Sequence, residues 1–180
     1  MARLRRFSSY RRLERPNTRV SKFKAKSYIK TTPSLAVVRF DMGNSKKEFK
    51  YILTLVSKSD LQIRDNALES ARTTANRVLE LTLGLANFFM RIKTYPFHIL
   101  RENPIAAGAG ADRFSTGMQK SFGKPLGSAA RIRKGQTVFE VRVDEANVGL
   151  AKKALARAKT KLPNSYIIDI KENKNTALAE

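Results

Sequence analysis

The chain has 180 residues, with 36 Lys and Arg against 15 Asp and Glu, a formal charge of +21. A hydrophobic fraction of 42% supports a core, so this is not a disordered polycation. No cysteine and one histidine, His98, exclude disulfides and multi-histidine or thiolate metal centres, and no run of about 18 apolar residues spans a bilayer.

The positive charge is clustered. Residues 1–30 carry eleven cations and one acid, +10, and residues 91–135 carry nine and two, +7. Residues 61–90 balance at three of each sign. Such clusters repel themselves unless an anion lies against them, so a polyanion is the expected partner.

The first cluster reads as an extended arm over 1–34. Arg3, Arg5, Arg6, Arg11, Arg12, Arg15, Arg19, Lys22, Lys24, Lys26 and Lys30 are interleaved with Phe7, Tyr10, Phe23 and Tyr28. No helical or strand period persists, and Pro16 interrupts a long helix. Cations to neutralise phosphates and rings to stack on bases suit RNA. A solvated basic tail or a transit peptide is the competing reading, but the arm lacks an apolar stripe.

From Pro33 the pattern is that of an α+β domain over 35–171. Leu35–Phe40 and Phe49–Val56 read as strands separated by a turn-like Asp41-Met-Gly-Asn44. Leu68, Ala71, Ala75, Val78 and Leu79 recur at helical spacing within Asp65–Leu83, with Gly84 as C-cap. Asn87–Thr94 alternates as a strand, and His98–Arg101 extends the same edge after Pro96. Ala130–Arg133 and Thr137–Val143 are strands joined near Gly135, the second with Val138, Glu140 and Arg142 on one face. Asn147 predicts the N-cap of a helix to about Lys161, with Val148, Ala151, Leu155, Ala158 and Leu162 inward and Lys152, Lys153, Arg157 and Lys159 off that stripe. Tyr166–Ile170 is the last strand, and 172–180 a loose polar tail. Strands that follow one another directly favour a mainly antiparallel sheet with two helices packed on it.

Between these halves, Arg101 to Arg131 shows no sustained period and holds Gly108, Gly110, Gly117, Gly123 and Gly127. A long loop of this kind, set at 103–130, is expected to bind something. His98, Arg101, Arg113, Lys120, Phe122, Lys124, Arg131, Arg133 and Lys134 are its expected RNA-binding residues, together with its flanks. Two nucleotide motifs nearly form and fail. Gly108-Ala-Gly110 meets Arg113 where a third glycine belongs. Gly117 to Gly123-Lys124 has one residue too many, and Pro125 replaces the magnesium-holding Ser or Thr. His98 sits among aromatic and aliphatic neighbours, and Asp112 beside Arg113 reads as an ion pair. No second carboxylate lies near Asp112 in sequence to make an acid/base pair, and a histidine in the setting of His98 is more often a packing residue or a hydrogen-bond donor to RNA, so no enzyme, cofactor or metal site is expected.

The loop region closely resembles one family. Tyr95-Pro-Phe-His-Ile-Leu-Arg-Glu-Asn103 is followed by Ala109-Gly-Ala-Asp-Arg113, Thr116-Gly-Met118, Phe122-Gly-Lys-Pro125, Gly127, Ala130-Arg131 and Gly135-Gln136. These runs are similar to the large-ribosomal-subunit protein family called L-ten-e in archaea and eukaryotes and L-sixteen in bacteria. Ala109–Arg113, with Gln62-Ile-Arg64, Ala67-Leu-Glu69 and Ala71-Arg72, looks like the archaeal branch. The resemblance covers roughly residues 35–170. It implies a two-layer, hammerhead-type α/β sandwich on large-subunit rRNA in the cytoplasmic ribosome, beside neighbouring ribosomal proteins and away from any membrane. It also implies a loop directed at the peptidyl-transferase region and at tRNA near the aminoacyl and peptidyl sites, with Arg101, Arg113, Lys120, Phe122, Lys124 and Arg131 facing RNA. Pro104 and Gln119 stand where the family usually has cations. The alternatives are a basic DNA or chromatin binder and, further off, a nucleotide-dependent enzyme using the glycine-rich loop.

Overall fold

The computed structural model describes residues 5–13, 18, 23, 25, 29, 31–102 and 123–173. The arm residues Arg3, Arg15, Arg19, Lys22, Lys24, Lys26 and Lys30 lie outside them, as do Arg113, Lys120 and Phe122 of the loop.

Among the described residues, eight strands and two α-helices follow in the order β1 (Asp41–Gly43), β2 (Tyr51–Ser57), β3 (Leu61–Arg64), α1 (Asp65–Leu83), β4 (Phe88–Ile92), β5 (His98–Glu102), β6 (Lys124–Ile132), β7 (Thr137–Val143), α2 (Val148–Lys159) and β8 (Tyr166–Glu172). All strand pairs are antiparallel. The architecture is an α/β sandwich, but its strands divide into two sheets instead of the single one expected. Five take the order β1-β4-β7-β2-β8, and three the order β3-β6-β5.

The division is a bend in one long pairing. Strands β2 and β7 pair up to Val56↔Thr137 after a register shift at Leu55/Val56. Five residues further along both segments, pairing resumes as Leu61↔Ile132 between β3 and β6. The two crossovers bond each other there, Ser57 N–H to the Gln136 carbonyl at 3.0 Å and Gly135 N–H to the Ser57 carbonyl at 2.9 Å. Gly135, at φ +80°, supplies the left-handed turn this bend needs. Strand β5 pairs with β6, so His98–Arg101 belongs to the second sheet and does not extend the edge of β4.

Leu35–Phe40 is the other departure. It forms no ladder, and the turn expected at Asp41–Gly43 is itself the short strand β1. The cause is Asp65 at the first position of α1, a buried carboxylate whose Oδ2 takes the Ala36 N–H at 3.1 Å. Val37 is buried by the same tether, while the Phe40 carbonyl still receives the Ile92 N–H at 2.9 Å. Gly43 follows at φ +84°, where a Cβ would collide with the Phe88 carbonyl oxygen.

Helix α1 forms over the predicted residues and ends at Gly84 with φ +73°. It packs on β3, β4, β6 and α2, and α2 packs on β2, β7 and β8. Leu68, Ala71, Ala75 and Leu79 of α1 meet Ala151, Ala154, Leu155 and Ala158 of α2 and the inner residues Leu53, Leu55, Met90, Phe139 and Val141 in one core. Asn147 occupies the N-cap of α2 without a side-chain capping bond. Glu172 pairs with Tyr51 and the Asn173 N–H reaches the Lys50 carbonyl at 2.7 Å, so 172 and 173 belong to the sheet edge; 174–180 lie outside the described residues.

Strand β7 is buried on both faces. On the side away from the helices, Glu140 accepts from Lys93 at 2.9 Å and from Arg142 at 2.7 Å. Burial pushes its carboxyl up, but the two cations outweigh burial and hold it below the usual carboxylate value. The guanidinium groups of Arg91 and Arg142 cover the Phe89 ring at 5.2 and 5.4 Å.

Candidate nucleic-acid interface

The three-stranded sheet has an inner and an outer face, and period two decides which residue goes where. Leu61, Ile63, Ala130 and Ile132 turn into the core. Gln62, Arg64, Arg131 and His98 turn the other way, and the arm lies against them.

Three side chains donate to arm carbonyls. Arg64 Nη1 reaches the Arg5 carbonyl at 3.1 Å, Gln62 Nε2 the Arg12 carbonyl at 2.7 Å, and Arg131 Nη2 the Leu13 carbonyl at 2.8 Å. The last two donors are a cross-strand pair, which is why they catch consecutive arm residues. Arg5 adds an ion pair with Glu102 at 2.8 Å, and Phe7 packs on the core cluster. Because its carbonyls are used inward, the arm turns cations outward: Arg5, Arg6, Arg11 and Arg12 are all exposed.

His98 belongs to this docking face. Only 9% exposed, it offers Nδ1 to the Thr18 N–H at 3.2 Å, and the Thr18 hydroxyl lies 3.3 Å away. Burial, and then the charges of Arg131 and Arg101, push its pKa down to about 4, so the ring is neutral at pH 7. The structure thus occupies this nitrogen within the chain.

The cations sort into two groups. Arg91 is spent on Asp41, at 2.6 Å, and Lys93 on Glu140, so part of the positive 91–135 segment is neutralised internally. Arg133, Lys134 and Lys124 are exposed, and Arg101 and Arg131 are half-buried. Asp60 joins the arm to the β6–β7 crossover. It lines a cleft with Phe7, Arg11 and Arg12, and its Oδ1 accepts the Lys134 N–H at 2.6 Å. Asp60 therefore lies between arm residues Arg11 and Arg12 and the main chain of Lys134, although they are far apart in sequence.

Lys124 opens a strand at Gly123, whose φ is +77°. Residues Lys124–Ile132 form strand β6, so no helix N-terminus follows Gly123-Lys124 as a phosphate loop requires. The loop also ends earlier than position 130, because 124–130 is part of β6. Pro125, without an N–H, falls beside the register shift between β5 and β6, where a ladder bond is dispensable.

One feature escapes the sequence pattern. Phe40 stacks on Tyr95 at 5.2 Å with 21° between the planes, and Tyr95 meets Phe97 at 4.5 Å. The outer ring, Phe97, is 69% exposed. In the sequence these rings are only the neighbours of His98, and a ladder that includes Phe40 needs the fold.

A family model described as Ribosomal protein L16p/L10e matches residues 15–168. The chain belongs to this family. Among relatives of the L16p/L10e chain, the large ribosomal subunit protein uL16 of Archaeoglobus fulgidus is 46% identical over 154 residues, 86% of this chain and 85% of the relative. That of Thermofilum pendens is 51% identical over 136 residues, covering 76% and 81%. A Methanococcus maripaludis uL16 is 42% identical over 165 residues, 92% of each chain. These archaeal relatives agree with the archaeal pattern of Gln62–Arg64 and Ala109–Arg113. The matched family and the named relatives are ribosomal proteins, not enzymes.

Proposed function

We propose that this L16p/L10e chain is a non-enzymatic component of the large subunit of the cytoplasmic ribosome. It grips rRNA with its arm and loop and supports tRNA placement near the aminoacyl site and the peptidyl-transferase region. The observation that carries this reading is the arm's docking: Gln62, Arg64 and Arg131 hold its carbonyls, while Arg6, Arg11 and Arg12 are exposed, as are Arg133 and Lys134. An arm held in this way loses less conformational entropy on binding than a free polycation does.

Phosphate contacts from this cluster supply affinity and register, and exposed rings such as Phe97 offer stacking faces to unpaired bases. His98 and Thr18 act one step back, by fixing the arm's course. Arg3, Arg15, Arg19, Lys22, Lys24, Lys26 and Lys30 would extend the arm's grip on phosphates. Arg101, Arg113, Lys120, Phe122, Lys124 and Arg131 would carry the interface toward tRNA.

The test is the salt dependence of binding to protein-free large-subunit rRNA. Replacing Arg6, Arg11 and Arg12 by Gln should reduce the log–log slope by roughly two to three, near one unit for each phosphate left without its cation. An unchanged slope would make the arm a solvated tail.

A further inference from the structure

Helix α2 carries a strongly basic face that neither the arm nor the loop includes. Lys152, Lys153, Arg157, Lys159 and Lys161, the last in the turn after the helix, are all exposed. Among the described residues none of the five has an ion-pair partner. The helix contains no acid. Its neighbour α1 is different: it mixes three acids with two arginines, and Arg72 is paired with Glu69 at 2.5 Å.

A solvated helix face gains from alternating signs at i, i+4, whereas Lys153 and Arg157 place like charges at that spacing. The helix dipole favours Arg157 and Lys159 in the last turn, but it gives no reason for Lys152 and Lys153 in the first half. At 100° per residue, Lys152 and Lys159 flank one side of the exposed face, and Lys153 and Arg157 flank the other. Gly149 and Ala156 lie between the flanks, and a Cβ at Gly149 would meet nothing within 4 Å. An anionic strand can therefore approach the helix backbone with cations on both sides.

We propose that this face of α2 is a second RNA-contact surface, which seats a phosphodiester backbone apart from the arm and loop. The inference rests on the reading of the protein as an rRNA binder. A protein neighbour fits less well, because helix recognition uses apolar anchors at i, i+3, i+4 and i+7, and the exposed face of α2 offers only Ala156. Lysine is depleted from protein–protein interface cores, and phosphate contacts draw on it heavily.

The test uses the full chain and protein-free large-subunit rRNA. In one variant Lys152, Lys153 and Arg157 become Gln, a residue of similar helix propensity. In a second, Lys152→Arg, Lys153→Arg and Arg157→Lys keep the charge. The Gln variant should lower the salt slope by about two to three and remove a hydroxyl-radical footprint that the arm variant keeps. The charge-preserving variant should retain both slope and footprint. If the wild type binds with a steep slope and the Gln variant matches it, the proposal is overturned while the rRNA reading stands. If the wild type does not bind rRNA, the rRNA reading itself fails. A Gln variant with a normal slope on bare rRNA, but poor retention in reconstituted subunits, would assign the face to a protein neighbour and overturn the proposal.

Discussion

The Thr18 N–H points at Nδ1 of His98, 3.2 Å away, while the Thr18 hydroxyl exchanges hydrogen bonds with the main chain of Ile99, at 2.8 Å to its N–H and 2.9 Å to its carbonyl. One arm residue thus closes off an edge position of β5, and a segment that reads as free in sequence becomes part of the sandwich. Replacing Thr18 by Val keeps the shape and removes the hydroxyl. Amide exchange at Ile99 should then accelerate at least several-fold, with the α1 amides unaffected. Equal protection at Ile99 in both proteins would contradict the latch.

His98 also makes stability depend on pH. Its pKa is held down to about 4 in the folded chain, and a histidine in the unfolded chain titrates near about 6.5. Unfolding therefore takes up a proton between these values. The contribution is complete above about pH 6.5 and is lost as pH falls toward about 4, amounting to at most about 3 kcal/mol. Urea unfolding at pH 7 and pH 5 should show a larger loss for the wild type than for His98→Gln. Parallel losses would place the titration elsewhere.

Phe97 supplies exposed aromatic surface at the end of the Phe40–Tyr95 stack. If a base stacks there, Phe97→Ala should weaken rRNA binding by about 1–3 kcal/mol. Its urea midpoint should stay near the wild-type value, since the ring is mostly outside the core. Unchanged affinity would remove the ring from the interface.

Gly43 tests the packing of β1. A Cβ would strike the Phe88 carbonyl, and the φ of +84° disfavours an L side chain as well. Gly43→Ala should cost about 1–3 kcal/mol in chemical unfolding. A neutral substitution would mean that β1 can shift away from β4 without penalty.

Much of the fold is legible in local pattern. The 3.6-residue period of Leu68, Ala71, Ala75 and Leu79 marks α1, and Gly84 marks its end. Alternation alone does not divide the strands, because the bend at Ser57 and Gly135 depends on two crossovers bonding each other. Leu35–Phe40 has strand composition, but a buried Asp65 takes its amide hydrogen, a tertiary effect that no local signal records. Charge counting finds the arm and misses its docking, which depends on Gln62 and Arg131 being cross-strand neighbours. It also hides α2: Lys152–Lys161 are averaged with six acids in residues 136–180, so counting assigns Lys152 and Lys153 little salt dependence.

If the exposed cations hold large-subunit rRNA, the protein's association with the subunit must be salt-sensitive. Sedimentation of cell extract through sucrose gradients at rising salt tests it most directly. The protein should travel with large subunits at low salt and leave them only at high salt, with Arg6, Arg11 and Arg12 replaced by Gln lowering the salt needed. Recovery at the top of the gradient at low salt, with no subunit-associated fraction, would contradict the account.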